Sequence, residues 1–193
     1  MPHRIDIDGI HQNLFILQNL VFGSKIFCTT YHINRMNESY DFNWDYYLGW
    51  LKSIVSEKLI ESSIKMRILQ DFLHDQDSSI DFKVIEEVAC SNINIGSIII
   101  ADSVEPLTIR ESCNKIIHAL EMNLQWREIL LRKKKKGEFN PEFWSGVVEL
   151  HGKKGSKEWL TLVNVIDYCV AIERVLIHLE NNIDWNHVYK YDE

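Results

Sequence analysis

The apolar residues of this chain change their period along its length, and that change limits the fold more than any other feature. From about Trp44 to Leu73, the residues Leu48, Leu51, Val55, Leu59 and Ile60, then Ile64, Ile68, Leu69, Phe72 and Leu73, recur at helical spacing. Lys52, Glu57, Lys58, Glu61 and Lys65 fall on the opposite side. Such a stripe is one face of a long amphipathic helix. Past Glu121 the pattern shortens. Phe143, Val147, Glu149 and His151 partly alternate with Trp144, Val148 and Leu150, Gly152–Ser156 carries turn residues, and Trp159–Val163 reads as a partner strand. Alternation around a turn predicts an antiparallel hairpin, with Leu124–Arg132 a candidate third strand before it. The expected fold class is therefore α+β, mainly α. It is a helical bundle with a small C-terminal antiparallel β-hairpin or three-stranded sheet before the last helix. One domain spans 1–193, with the hairpin at about 124–164.

The remaining segments fit that outline. A first helix is expected from about Ile10 to Met36, carried by Leu14, Leu17, Val21 and Phe22, with Gly23 weakening its middle. Asn37–Phe42 turns the chain, and the Trp44–Trp50 aromatic cluster is expected in the core. Phe82–Val88 reads as a short helix. Asn94–Ile100 reads as an irregular or extended connector whose Ile98–Ile100 run is buried. Pro106 announces a helix start, and Thr108 with Glu111 makes a capping box for a helix from about Ile109 to Glu121. A final helix covers Ile166–Leu179, and the polar tail Asn182–Glu193, with Trp185 and Tyr189, is expected either to dock loosely or to order only in an assembly.

Composition narrows the function. Hydrophobic residues form 46% of the chain, enough for a core and too many for a disordered segment. Twenty-one basic residues against twenty-eight acidic ones leave a charge of −7, which disfavours a broad basic surface for nucleic acid. The single strong charge run, Arg132 with Lys133, Lys134, Lys135 and Lys136, is the candidate RNA-binding segment, with Lys153 and Lys154 on a nearby turn adding to it. The alternative for this run is a solvated loop. Cys28, Cys90, Cys113 and Cys169 are scattered without a C-x-x-C pair, so neither a zinc site nor a disulfide framework is expected, and free thiols fit a reducing cytoplasm. The N-terminus lacks a signal-peptide pattern, and the run Leu14–Phe22 is too short to span a bilayer, so no membrane association is expected. No cofactor or metal is expected, because no phosphate-binding Gly loop, G-x-S-x-G or H-E-x-x-H occurs. His74, Asp75 and Asp77 read as a polar loop, and Arg67 with Asp71 as an intrahelical pair.

The segment Leu107–Leu120 reads LTIRESCNKIIHAL. Arg110, Asn114 and His118 are spaced i, i+4, i+8, so on a helix they share one face, while Ile109, Cys113, Ile116, Ile117 and Leu120 supply the packing side. An imidazole is suited to proton transfer near neutral pH, a guanidinium to phosphate, and an amide to orienting either. A structural role is the competing reading. In it His118 bonds a neighbouring carbonyl, Asn114 ties a loop, and Arg110 pairs with Glu111 or Glu105.

Thr108–Ala119 resembles the signature helix of HEPN-superfamily domains, small helical proteins of toxin–antitoxin, CRISPR-linked and abortive-infection systems. Asn114-Lys115-Ile116-Ile117-His118 matches the motif's polar residue, spacing and His, while Cys113 stands where an Arg is expected and Arg110 lies one turn upstream. The variant is similar to a HEPN-like branch often fused to restriction enzymes. The resemblance covers about a dozen residues. It implies metal-independent RNA cleavage by attack of the 2′-hydroxyl on the neighbouring phosphorus, leaving a cyclic phosphate. His118 would be the general base or acid, Arg110 the phosphate holder and Asn114 the orienter. It also implies a homodimer with a shared cleft and, in a toxin setting, an antitoxin or other protein partner. Helix geometry agrees with the dimer: Arg110 and His118 are about 12 Å apart along one axis. Two copies packed antiparallel near Asn114 would bring Arg110 of one to His118 of the other. Two further readings remain open. One is a non-catalytic HEPN-like module binding a protein or nucleotide, and the other is a structural subunit of a defence complex.

Overall fold

The computed structural model describes residues 5–36, 43–76, 80–100, 103–131 and 139–185. They form five helices and one five-stranded antiparallel sheet. The helices are α1 (Ile7–Thr30), α2 (Trp44–Gln76), α3 (Phe82–Cys90), α4 (Ile109–Ile117) and α5 (Val165–Asn182). The strands are β1 (Gly96–Ile100), β2 (Ser103–Pro106), β3 (Glu121–Glu128), β4 (Glu142–Lys154) and β5 (Lys157–Asn164). The sheet runs in the order β2-β1-β5-β4-β3. Its centre is the expected hairpin: β4 pairs with β5 from Val147↔Asn164 to Lys154↔Lys157, around the turn at Gly155.

The sheet is larger than the expected hairpin or three-stranded piece, and it is not confined to about 124–164. The Asn94–Ile100 segment supplies β1, which pairs along β5 from Gly96↔Val163 to Ile100↔Trp159 and carries β2 on its far side. The run is too short for its period to declare a strand, but β5 has two backbone edges, and one would be unpaired without β1. Pro106 ends β2, and the helix it announces follows at Ile109, after the Thr108 cap. Gly96, at φ +148°, sits where any Cβ would strike the Leu162 carbonyl, so this junction of β1 with β5 requires glycine.

The helices pack on one face of this sheet. Along β4 and β5, Trp144, Val148, Leu150, Trp159, Thr161 and Val163 are buried, and the residues between them are half-buried, the one-sided pattern of a sheet covered on a single face. Helix α1 crosses β4 closely at Gly146 (φ +83°), where a Cβ would come within 2.8 Å of Val21 Cγ1. Helix α2 packs against α1 and α4, and α5 against α1 and α3. Ile10, Leu14 and Leu17 of α1, Val55, Leu59, Met66 and Leu69 of α2, and Ile172, Val175 and Leu176 of α5 meet in the core. The four cysteines are free and buried.

Two helices end earlier than expected, each for a visible reason. Helix α1 stops at Thr30, not near Met36. His32 adopts φ +50° and the Ile33 N–H donates to the Cys28 carbonyl at 3.0 Å, the six-to-one bond of a Schellman motif. Helix α4 begins as expected, with Thr108 Oγ1 accepting from the Glu111 N–H (3.1 Å), but it ends at Ile117 instead of Glu121. The Leu120 N–H donates to the His151 carbonyl at 2.8 Å, and Glu121 enters the sheet opposite His151. The sheet thus claims the last residues of the predicted helix. Two aromatic expectations also change: Phe22 is 65% exposed, and Tyr46 and Trp50 stack on each other at the surface, leaving Tyr47 as the buried member of the Trp44–Trp50 cluster.

Candidate functional site

Helix α4 lies against α2, running antiparallel to it. Near its start Arg110 Nη1 reaches Asp71 Oδ1 at 3.2 Å, and past its end Leu120 shares a groove with Ser56 and Ile60. Its buried side is Ile109, Ser112, Cys113 and Ile116. Cys113 is fully buried, its sulfur 3.9 Å from the Tyr168 hydroxyl, which is hydrogen-bonded to Ser63 (2.8 Å) and Ser62 (3.4 Å). Burial pushes the Cys113 thiol up to about 11 and the Tyr168 hydroxyl well above its ordinary range, so both stay neutral. This hydroxyl–thiol knot ties α4 to α2 and α5.

The N-terminus of α4 is held by α3. The Ile109 N–H donates to Glu86 Oε1 at 2.6 Å. Burial raises the Glu86 carboxyl above its ordinary value, the Ile109 N–H draws it partly back, and Glu111 adds to the rise. A carboxylate at this end also complements the helix dipole.

Arg110, Asn114 and His118 all lie on the outer side of α4. Arg110 is exposed, Asn114 is half-buried, and His118 is exposed. His118 is not within the helix: it is the C-cap, at φ −104° and ψ 11°, its backbone N–H donating to the Asn114 carbonyl. Among the described residues, neither the Asn114 amide nor the His118 ring makes a side-chain hydrogen bond or ion pair. Arg110 pairs with Asp71 of α2, not with Glu111 or Glu105. Asp71 also holds the expected intrahelical partner, Arg67, at 3.1 Å. The two arginines therefore share one exposed carboxylate, a contact worth about 0–1 kcal/mol.

The basic segment 133–136, with Lys133, Lys134, Lys135 and Lys136, lies outside the described residues, as does Asp77 of the His74–Asp75–Asp77 cluster. Lys154, on the β4–β5 turn, does come into the neighbourhood of α4. Lys115 lies over the Trp159 ring, 4.4 Å from its centroid, and burial first, then Lys154, lowers its pKa. Sequence reasoning missed Lys115 and Asp71 as neighbours of the candidate trio. Lys115 was visible as the residue after Asn114, but nothing local points from Arg110 to a carboxylate 39 positions away.

Among the described residues, no group of three or more His, Cys, Asp or Glu is placed to hold a metal ion, and no helix is long and apolar enough to cross a membrane. Comparison with family models, with curated proteins and with solved structures gives no match.

Proposed function

We propose that this is a HEPN-like, RNA-directed protein that cleaves RNA without metal, with Arg110, Asn114 and His118 acting across an interface between two copies. The observation that carries the reading is that the Asn114 amide and the His118 ring make no hydrogen bond or ion pair among the described residues, while the rest of α4 is tied down on three sides. Polar side chains that the fold does not use are available to a ligand. His118 would move the proton at the 2′-hydroxyl, and Arg110, released from its weak exposed pair with Asp71, would hold the phosphate. Lys115 and Lys154 repel one another, and an RNA phosphate between them would relieve that repulsion.

A second copy is also suited to the surface beside α4. Ile60, Ile64 and Ile68 of α2 recur every four residues and remain exposed. Ile60 adjoins Leu120 and Asp71 adjoins Arg110, so this apolar row runs alongside α4. An antiparallel pairing near Asn114 would bury both rows and juxtapose Arg110 with the partner's His118.

One observation favours the non-catalytic alternative, a module that binds a protein or nucleotide. Within one copy, Arg110 is paired with a carboxylate and His118 has left the helix, so no single chain assembles the trio. Labelled RNA incubated with the purified protein in chelator, beside His118→Ala, separates the two. Cleavage to cyclic-phosphate ends that the variant loses supports the enzyme. Intact RNA supports the binding module. A monomer at micromolar concentration by light scattering removes the shared site.

A further inference from the structure

Helix α1 turns Ile10, Leu14, Leu17, Ser24 and Cys28 inward, yet its outer side is apolar as well. Phe15 is 68% exposed, Phe22 65% and Ile26 72%. With the exposed Asn19 they are spaced four, three and four residues apart, the step of a seam along which a second helix packs. Asn19, its Nδ2 donating to the Phe15 carbonyl at 2.7 Å, is the polar member of the row, and one polar residue in such a seam fixes register. Beside Phe22, Gly23 leaves a gap, with nothing within 4 Å of where a Cβ would stand. The seam runs for about 16 Å, three turns of helix. Its two phenylalanines and isoleucine expose about 300–400 Å² of apolar surface, the size at which a patch marks an interaction site.

Both flanks of the seam are acidic. On one side α5 presents Glu173 and Glu180, which share His11 of α1 at 3.0 and 3.8 Å. On the other side α2 presents Glu57 and Glu61, which share Lys58 at 2.6 and 3.1 Å, and Glu61 stands beside Asn13 of α1. Each flank sets two carboxylates against one basic group, so each stays negative even with His11 charged. Asp8 adds a further exposed carboxylate in the first turn of α1, while Lys25 lies over the Phe143 ring, 5.6 Å from its centroid. A second copy seated on this face would bring acid to acid. Parallel seams would set the α2 flank against the partner's α5 flank, and antiparallel seams would set each flank against its own copy. Like charges facing one another disfavour that pairing, and a cationic rim on the occupant favours binding.

We propose that the outer face of α1 docks an amphipathic helix of a partner protein, with apolar residues at the same four-three spacing and lysine or arginine on both sides of them. This is helix-on-helix recognition, with apolar anchors for affinity and the rim charges for partner choice. The face is separate from the α4 site. Helix α1 meets α2 through Asp6 and Lys65, whereas α4 meets it at Asp71 and Ile60. The proposal is therefore independent of the RNA-directed reading.

The test uses two synthetic helical peptides of about 18 residues, five turns, with leucines along one seam. One carries lysines beside the leucines and the other carries glutamates. Each is titrated into the full chain and followed by amide chemical shifts. The lysine peptide is expected to bind with a Kd of about 10–100 μM, as suits a small interface. It should move the signals of Asn19, Phe22, Gly23 and Ile26 and leave those of Asn114 and His118 in place. The glutamate peptide is expected to bind at least about tenfold more weakly. Phe22→Gln alters an exposed side chain, so the variant folds, and it is expected to weaken the lysine peptide by about tenfold or more. Glu57→Lys combined with Glu180→Lys, both exposed, is expected to abolish or reverse the preference between the peptides. No saturable shift on α1, equal affinity for the two peptides, or undiminished binding by Phe22→Gln overturns the proposal. A native mass that falls by light scattering in Phe22→Gln also overturns it, because a second copy then covers this face.

Discussion

Cys113 stands where the HEPN motif that α4 is proposed to resemble would carry an arginine, so introducing an arginine there is a direct test of how α4 is oriented. If α4 presented this position to a cleft, Cys113→Arg would fold and add a phosphate-binding group. The structure points the other way. Cys113 is 0% exposed, with its sulfur against the Tyr168 hydroxyl and with Ser63 behind it. A guanidinium there has no carboxylate partner in the knot, and a buried unpaired charge costs several kcal/mol before the added volume is counted. We take about 4 kcal/mol as the lower bound, a large part of the 5–15 kcal/mol typical of a whole domain. For a chain of this size each kcal/mol moves the melting temperature by about 2–4 °C, so Cys113→Arg should lower it by at least about 8–16 °C. Cys113→Ser, which keeps a small polar atom beside Tyr168, should lose far less, about 1 kcal/mol. Thermal unfolding of the three proteins by circular dichroism, with the RNA assay alongside, reads the difference. A Cys113→Arg protein that melts within about 3 °C of the parent and cleaves RNA faster would refute the inward orientation of this face.

Three further perturbations test the packing around the site. Tyr168→Phe leaves the Ser63 hydroxyl without its 2.8 Å partner and should destabilise the chain by about 1–3 kcal/mol in urea unfolding. Gly23→Ala, in the middle of α1 with open space around the added methyl, should stabilise it by about 0.5–1 kcal/mol; a loss would mean that α1 is not continuous through Gly23. Glu86→Gln keeps an acceptor for the Ile109 N–H and removes a charge whose burial is unfavourable. Glu86 has a folded-state pKa raised above the ordinary 4.5, so its ionisation destabilises the native state as pH climbs through that value. The variant's gain over the parent should therefore be absent below about pH 4 and grow toward pH 7, and a gain that is constant across that range would rule out the carboxylate as its source.

Local spacing in the sequence determined the helices and the central hairpin. The apolar repeat of α2, the Thr108 cap of α4, the turn ahead of β5 and the alternation of β4 each depend on neighbours within a few residues, so the pattern carries them. The spacing of Arg110 and Asn114 along α4 was legible for the same reason, while His118 falls at the C-cap beyond the last helical turn. Other features depend on partners far along the chain. Gly96–Ile100 became a strand because β5 had an edge to fill, and α4 ended at Ile117 because His151 bonds Leu120 and draws the next residues into the sheet. Phe22 and Trp50 carry helical spacing as well as any core residue does, and only the arrangement of the neighbouring helices left them outside. That arrangement also turned Arg110 toward Asp71, while Cys113 lies in the core as its helical position predicts. Backbone periodicity fixes which residues share a face of a helix, and long-range hydrogen bonding and packing decide which face is buried and where the helix stops.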